Sequence, residues 1–582
     1  MPTLAVNNFN IVVSVLGGWI SLFGLVSYLL KENFYLSEAL ISLLAGVTFS
    51  PHATNFVRPL EYAGSEENLN AITLYFTRLV LGVQLVLAGV QLPSRYLKLE
   101  WKPLALLLGP IMTAMWLTTS LLVWALLPHL PFLHALAIGA CVTPTDPVLS
   151  NVIVKGRFAD HNVPKDLQTI IIAESGANDG LGYPFLFLAL YLIKYIGDGG
   201  VNESGGTGLA VGLWFGETWG YTIILSVVYG AIVGWIAKEL LHYCEEHKFV
   251  DRESFLVFAF SLALLTTGTC GMIGSDDILA CFIAGNVFTW DDWFRLATID
   301  DSLQPTIDML LNVAIFMWYG AVCPWHSFVA NDVIPIYRLV PLGILILLLR
   351  RLPFILLTYK KIPQIEGLRQ AIFMGFFGPI GCSAIFYLYV TLEFITSLNS
   401  DRGGTPRWDV ARLQEDVSVV VWFMVICSVV VHGLSIPLGK FGIYLPRTIS
   451  RTLSSPEDLI PFQVGGRVIP RSRSRNETAA NTPTESRSVS VRPVYRIGGS
   501  IIPEHPAGNR PSPARLSTAS EIVGPRDDLE TGSKAAGATG FDPESRATML
   551  SPVAPNRMIR FPDETSLQVD KESKELKGDA AC

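Results

Sequence analysis

Apolar runs long enough to cross a bilayer recur along the first three quarters of the chain. About 20 apolar residues suffice for one crossing. By that ruler the pattern predicts about 13 transmembrane helices, near 11–30, 37–52, 71–92, 103–127, 132–154, 167–194, 218–240, 254–273, 277–290, 309–325, 333–357, 367–392 and 415–439. The second, ninth and tenth runs are short, and 53–70 reads as an interfacial segment or loop. The expected fold class is an all-α polytopic membrane protein. From residue 447 the periodicity ends, and stretches such as RSRSRNETAANTPTESRSVSVRP and RPSPARLSTAS have the composition of disordered chain. The expected domains are therefore a transmembrane domain over 1–446 and a largely disordered tail over 447–582. YLPRTISRTL (444–453) mixes apolar and basic residues, as a short helix on the inner leaflet would.

Composition agrees with this division. Of the 582 residues 50% are hydrophobic and 16% charged, against about 25% charged in soluble domains. The net charge of −7 averages two unlike halves and points to no nucleic-acid partner. The eight cysteines are scattered without CxxC or Cys/His spacing, so neither a disulfide framework nor a zinc site is suggested. MPTLAVNNFN has no basic leader pattern, and the first apolar run reads as a retained helix.

Basic loop residues orient the spans. The odd-numbered loops carry Lys31, Arg95, Lys98, Lys102, Lys155, Arg157, Lys165, Lys248, Arg252, Arg295, Lys360 and Lys361. That predicts an outside N-terminus, a cytosolic tail and a sequon at Asn202 on the outer side. Arg402, Arg407 and Arg412, in an even-numbered loop with Arg58 and Arg338 in others, oppose the assignment.

Candidate chemistry lies inside the apolar half. AESGANDGLG (173–182) sets two carboxylates and an amide between LQTIII and PFLFLALYLI. A charge at the bilayer centre costs roughly 2.5–3.5 kcal/mol even on the lenient insertion scale. In a helix Glu174 and Asn178 share one face, and Ser175 and Asp179 the neighbouring one. A lone Asn or Ser there would read as interhelical glue; this strip reads as a functional site. One span earlier, CVTPTDPVLS (141–150) contains Pro144 and Pro147. Each removes a donor and disfavours helix at the preceding residue, here Thr143 and Asp146. Unwound backbone within a membrane survives only in protein or beside a cavity, and free carbonyls beside an Asp suit a cation. The alternative is a proline kink with Asp146 capping the next half-helix. GFFGPIGCSA (375–384) interrupts a second helix in the other half of the domain.

Two further features admit two readings each. Arg350 and Arg351 lie deep in LLLRRLPFILL (347–357). They could snorkel at a helix end, or one could pair with Glu174, for which Arg350 is the expected member. Asp276 and Asp277 in GSDDILACFIAGN (274–286) could belong to a helix start capped by Ser275, or form an entrance funnel for cations. His242, His247 and His432 carry no pattern that separates a pH sensor from an ordinary histidine.

TPTDP, ESGANDG, RRLPF and GFFGPIG, in that order, with LNVAIFMWYG (311–320), resemble the monovalent cation–proton antiporter superfamily. The tail and SDDILACFIAGN look most like its fungal plasma-membrane members. The resemblance covers roughly 10–445. It implies an inverted-repeat fold with two crossing broken helices, a dimerisation domain and an ion-transporting core working by elevator-like alternating access. It places the ion-binding carboxylate at Asp179 beside Asn178, with Thr145 and Asp146 in the unwound helix and Glu174 with Arg350 or Arg351 as the structural ion pair. Ser175, Thr145, Asp179 and carbonyls near 143–146 would supply oxygen ligands for Na⁺, Li⁺ or K⁺. The expectation is a secondary antiporter exchanging alkali cations for protons, not an enzyme. It would have no cofactor, a lipid environment, a homodimeric assembly, and kinases or regulatory proteins acting on the tail. The rival readings are a cation channel, for which no selectivity segment is found, an intramembrane aspartyl protease built from Asp179 with Asp276 or Asp277, and a receptor or scaffold.

Overall fold

The computed structural model describes residues 7–30, 36–154, 162–197, 205–400, 407, 409, 412–453, 494–495 and 501–502. The first of its two compact units, residues 1–484, is helical throughout its described part. Its helices are α1 (Asn8–Tyr28), α2 (Glu38–Phe49), α3 (Glu66–Gln91), α4 (Trp101–Leu126), α5 (Phe132–Cys141), α6 (Pro147–Val154), α7 (Lys165–Gly180), α8 (Tyr183–Ile196), α9 (Gly206–Glu246), α10 (Arg252–Ile273), α11 (Asp277–Phe288), α12 (Leu303–Val322), α13 (Ile336–Leu349), α14 (Leu352–Thr358), α15 (Leu368–Phe376), α16 (Cys382–Ser400) and α17 (Leu413–Leu453), with short turns of helix between them. Among the described residues nine segments are long and apolar enough to span a membrane, and four shorter apolar helices, α2, α5, α11 and most of α16, accompany them. In the second unit, residues 485–582, Val494–Tyr495 and Ile501–Ile502 pair as an antiparallel hairpin, and the remaining tail lies outside the described residues.

Both breaks expected from proline and glycine are present. Helix stops at Cys141 and resumes at Pro147; it stops again at Phe376 and resumes at Cys382. Pro147 stands at the first position of α6, where its missing N–H costs nothing. Some helix ends differ from the apolar ruler, which does not register polar turns. Thus α3 begins at Glu66, five residues before the expected 71, because Ser65 caps it by accepting from Asn68 N–H at 3.2 Å. Likewise α9 begins at Gly206, ahead of 218, and runs through a π-helical stretch, Trp214–Ile224. The expected span 167–194 is divided by a turn at Leu181–Gly182 into α7 and α8.

Close approach of backbones holds the bundle together where lipid offers no hydrophobic drive. At the crossing of α2 and α12, a Cβ on Gly46 would strike the Met317 carbonyl, and one on Gly320 would strike that of Leu43. This is the structural use of the LNVAIFMWYG helix, whose Asn312 also accepts from Gln84 at 3.3 Å. In the even-numbered loop, Arg407 is fully buried against Asp409, with Nε–Oδ1 at 2.8 Å. It caps the end of α8 through the carbonyls of Ile193 (2.7 Å) and Lys194 (3.0 Å). Arg412 faces Asp416 at 3.4 Å and the Val333 carbonyl at 3.0 Å. Arg402, Lys31, Lys155, Arg157 and Asn202 lie outside the described residues.

Candidate functional site

The two interrupted spans meet, and their loose backbone groups are satisfied by each other and by two buried charges. Asp146 is at the positive ends. Its N–H donates to the Pro379 carbonyl at 3.0 Å. Its carboxylate accepts from Val148 N–H (3.0 Å), at the start of α6, and from Cys382 N–H (2.8 Å), at the start of α16. One side chain thus caps two half-helices, where a negative charge is favoured. Arg350 is at the negative ends. Its guanidinium donates to the Val142 and Gly378 carbonyls and approaches those of Thr143 (3.3 Å) and Pro144 (3.4 Å). These carbonyls belong to the unwound links that follow α5 and α15. A buried Arg is stable here because its several donors meet oxygens that have no helical partner.

The ion pair belongs to Arg351, which corrects the expected assignment to Arg350. Arg351 grips Glu174 with both ends of its fork, at 2.5 and 2.7 Å, and its Nε donates to the Met374 carbonyl at 3.0 Å. The reason is local. The run expected to cross as one helix breaks at these two residues, Arg350 closing α13 and Arg351 opening α14 ahead of Pro353. The two side chains therefore leave the chain in different directions, and both turn inward rather than snorkel.

Beside this frame α7 presents its polar strip. Asn178 holds Thr145 from both sides, its Nδ2 donating to Oγ1 at 2.7 Å and its Oδ1 accepting from the backbone N–H at 3.2 Å. The Ser175 hydroxyl lies 3.3 Å from that of Thr145 and 3.2 Å from that of Ser150. Asp179 is 1% exposed, and no backbone group or cationic side chain partners its carboxylate; the Ser383 hydroxyl is the polar side chain set against it, without forming a well-aligned hydrogen bond. Tyr387 fixes this turn from the other broken helix, donating to the carbonyls of Asp179 and, at 3.2 Å, Gly180. Thr145, Ser175 and Asn178 are therefore brought into contact, and Asp179 follows Asn178 on the same helix with Ser383 as its polar neighbour. Asp146 adjoins them with both carboxylate oxygens committed to backbone N–H groups.

Asp276 and Asp277 do not form an open funnel. Both are buried. Asp276, not Ser275, caps α11 by accepting from Leu279 N–H at 3.1 Å, while Ser275 donates to the Tyr221 and Thr222 carbonyls. Asp277 is bound by Arg78 at 2.8 Å. The helix-start reading holds with Asp276 in place of Ser275 as the cap, and the funnel alternative does not, because α11 packs against α3, α7 and α9 and is buried on nearly every side. Sequence reasoning also missed Ser150, Ser383, Tyr387, Ser428 and Arg78. Only Arg78, a charge within the 71–92 run, left a signal that could have been followed.

Comparisons place this arrangement among known proteins. The sequence profile described as "Sodium/hydrogen exchanger, transmembrane" matches residues 19–438. The chain is 36% identical over 452 residues to Na(+)/H(+) antiporter 2 of Zygosaccharomyces rouxii, covering 76% of this chain and 54% of that protein. It is 35% identical over 462 residues to the Na(+)/H(+) antiporter of Saccharomyces cerevisiae, covering 78% and 46% respectively. The chain thus spans about half the length of these relatives. The fold matches that of the sodium proton antiporter MjNhaP1 from Methanocaldococcus jannaschii at a TM-score of 0.53 and 17% identity, over 74% of this chain and 98% of that one.

Proposed function

The chain belongs to the transmembrane sodium/hydrogen exchanger family, and from that premise we propose that its membrane portion exchanges Na⁺, Li⁺ or K⁺ for protons at Asp179. One observation carries the reading: a buried carboxylate with no backbone or cationic partner stands beside two broken helices, with the Ser383 hydroxyl against it and the linked hydroxyls of Thr145 and Ser175 on the adjoining turns. A buried unpaired charge is strongly unfavourable, and one proton or one alkali cation removes it. The two ligands compete for the same oxygens, so binding either expels the other. The empty, charged core carries a penalty of about 2.5–3.5 kcal/mol on the insertion scale. That suppresses unloaded return by a factor on the order of 100 and couples the two fluxes. Oxygen-only surroundings suit hard cations. Asp146, Arg350 and the Glu174–Arg351 pair serve in this reading as the frame, holding the crossing while the core alternates between faces.

The same reading extends to the setting. The protein acts as a homodimer in the plasma membrane, expelling cations for salt tolerance and pH homeostasis. Its N-terminus is outside, and the tail from 447 is cytosolic and open to kinases. In support of that orientation, Arg407 and Arg412, which oppose it in the sequence, have acidic partners of their own. The test is proton flux in sealed proteoliposomes under imposed Na⁺, Li⁺ or K⁺ gradients, with voltage clamped. Saturable, cation-dependent pH change is expected, and its loss in Asp179→Asn with the melting temperature kept or raised. Flux surviving in correctly inserted Asp179→Asn would refute the assignment.

A further inference from the structure

We infer that Ser428 and His432, on the last membrane helix, form a clamp that sets the shape of the second broken helix and so position the ion site from outside it. The inference rests on the exchange reading above. Between Phe376 and Cys382 only the Phe377 and Gly378 N–H groups keep local backbone bonds, to the Phe373 and Phe376 carbonyls, and the polar groups beyond them need partners from elsewhere. Asp146, Arg350 and Arg351 serve Pro379, Cys382, Gly378 and Met374, as described. The Ile380 N–H, in the middle of this segment, donates to the Ser428 hydroxyl at 2.7 Å. Four residues on, His432 reaches the Phe376 carbonyl through Nε2 at 3.1 Å, while its Nδ1 lies 3.1 Å from the Ser428 hydroxyl and 2.9 Å from the Ser428 carbonyl.

Proton accounting selects one arrangement. A neutral imidazole has one donor and one acceptor. If Nδ1 carried the hydrogen, the bare Nε2 would face the Phe376 oxygen, lone pair against lone pair. With the hydrogen on Nε2, a continuous chain forms: Ile380 N–H to Ser428 Oγ, Ser428 O–H to His432 Nδ1, and His432 Nε2–H to Phe376 C=O. Each donor then has an acceptor, and the one unfavourable contact that remains, bare Nδ1 against the Ser428 carbonyl at 2.9 Å, is offset by the Ser428 O–H bond to the same nitrogen, which the other tautomer forfeits. The chain grips the unwound segment at both ends.

The placement gives the clamp its leverage. Ile380 lies between Pro379, whose carbonyl holds the Asp146 N–H, and Gly381, where an added Cβ would strike the Asp146 carboxylate. A displacement at Ile380 therefore reaches Asp146, and through it Thr145, Asn178 and Ser175. Ser428 and His432 are 0% and 4% exposed, so no water replaces a deleted partner cheaply. The helix that carries them, α17, continues to Leu453. They touch no transported ion, and their role is positional.

The test compares wild type with Ser428→Ala, His432→Leu, His432→Gln and His432→Asn, plus Cys427→Ala as a control one residue away. Gln offers its amide N–H where Nε2–H stood; Asn mimics the Nδ1 side. In the flux assay the apparent KM for Na⁺ or Li⁺ should rise roughly three- to tenfold in Ser428→Ala, His432→Leu and His432→Asn, the factor one ordinary hydrogen bond commands. His432→Gln should return to within about twofold of wild type on the same argument. Hydrogen exchange of the peptide covering 377–382 should quicken in Ser428→Ala and stay unchanged in Cys427→Ala. Unchanged KM with only Vmax or melting lowered, or unchanged exchange protection, overturns the clamp. If wild type shows no cation-dependent flux, the exchange reading fails. The hydrogen-exchange result still decides whether Ser428 holds Ile380.

Discussion

Replacing Arg351 by Met leaves the Glu174 carboxylate inside the protein with its strongest partner gone. Both side chains of the pair are 3% exposed, so the solvent screening that weakens surface pairs is absent. Breaking a buried pair from one side costs about 3–5 kcal/mol. Two unit charges 4 Å apart attract by about 4 kcal/mol at an effective dielectric constant near 20, which is the same scale. Removing the orphan as well, in Glu174→Gln with Arg351→Met, should recover about 2–4 kcal/mol of that loss, because no unpaired charge remains. The double variant should therefore melt higher than Arg351→Met alone. The buried thiols of Cys141, Cys270, Cys281, Cys323 and Cys382 offer the assay, since a thiol-reactive dye reports them only on unfolding. The control cycle pairs Glu174→Gln with Arg350→Met, whose coupling should stay under about 1 kcal/mol. If the double variant with Arg351 melts no higher than the lower single, or if recovery comes with Arg350 instead, the assignment of the pair is refuted.

Two other substitutions probe the crossing. Arg350→Lys keeps the charge but not the planar fork, so it cannot reach the carbonyls of both half-helices. The loss of one charge-assisted bond of about 1.5–3 kcal/mol should cut flux at least tenfold in protein that still inserts; flux at the wild-type level would show that charge alone suffices there. Gly381→Ala drives a methyl group into the Asp146 carboxylate. It should destabilise by about 1–3 kcal/mol, as overpacking does, and abolish exchange; a thermal melt and flux matching wild type would mean the crossing is looser than described.

The transport-like reading was legible before any coordinates because its signals are local. Two prolines flanking Thr145-Asp146, and three glycines with a proline over 375–381, break helices wherever they stand, and both breaks occur where expected. The i, i+4 spacing put Ser175 and Asp179 on one helix face without reference to any neighbour. What failed was partner choice. Arg350 and Arg351 are adjacent in sequence, and only the break between α13 and α14 separates their directions. Asp276 and Asp277 fit a funnel until α3, α7 and α9 close around them. Ser428 and His432 lie some 50 residues beyond the segment they hold, and a Ser and a His in an apolar helix advertise nothing.

By itself the sequence determined the membrane spans, the two points where helix must fail and the acid that has no business in hydrocarbon. Apolar period, missing amide donors and the cost of charge act along the chain alone. Tertiary structure decided which buried charge serves which backbone end. Asp146 went to two N-termini, Arg350 to the carbonyls of both unwound links and Arg351 to Glu174, while Asp179 was left with no backbone or cationic partner. That division depends on through-space distances of about 3 Å between elements far apart in sequence, the range over which a hydrogen bond is made or lost.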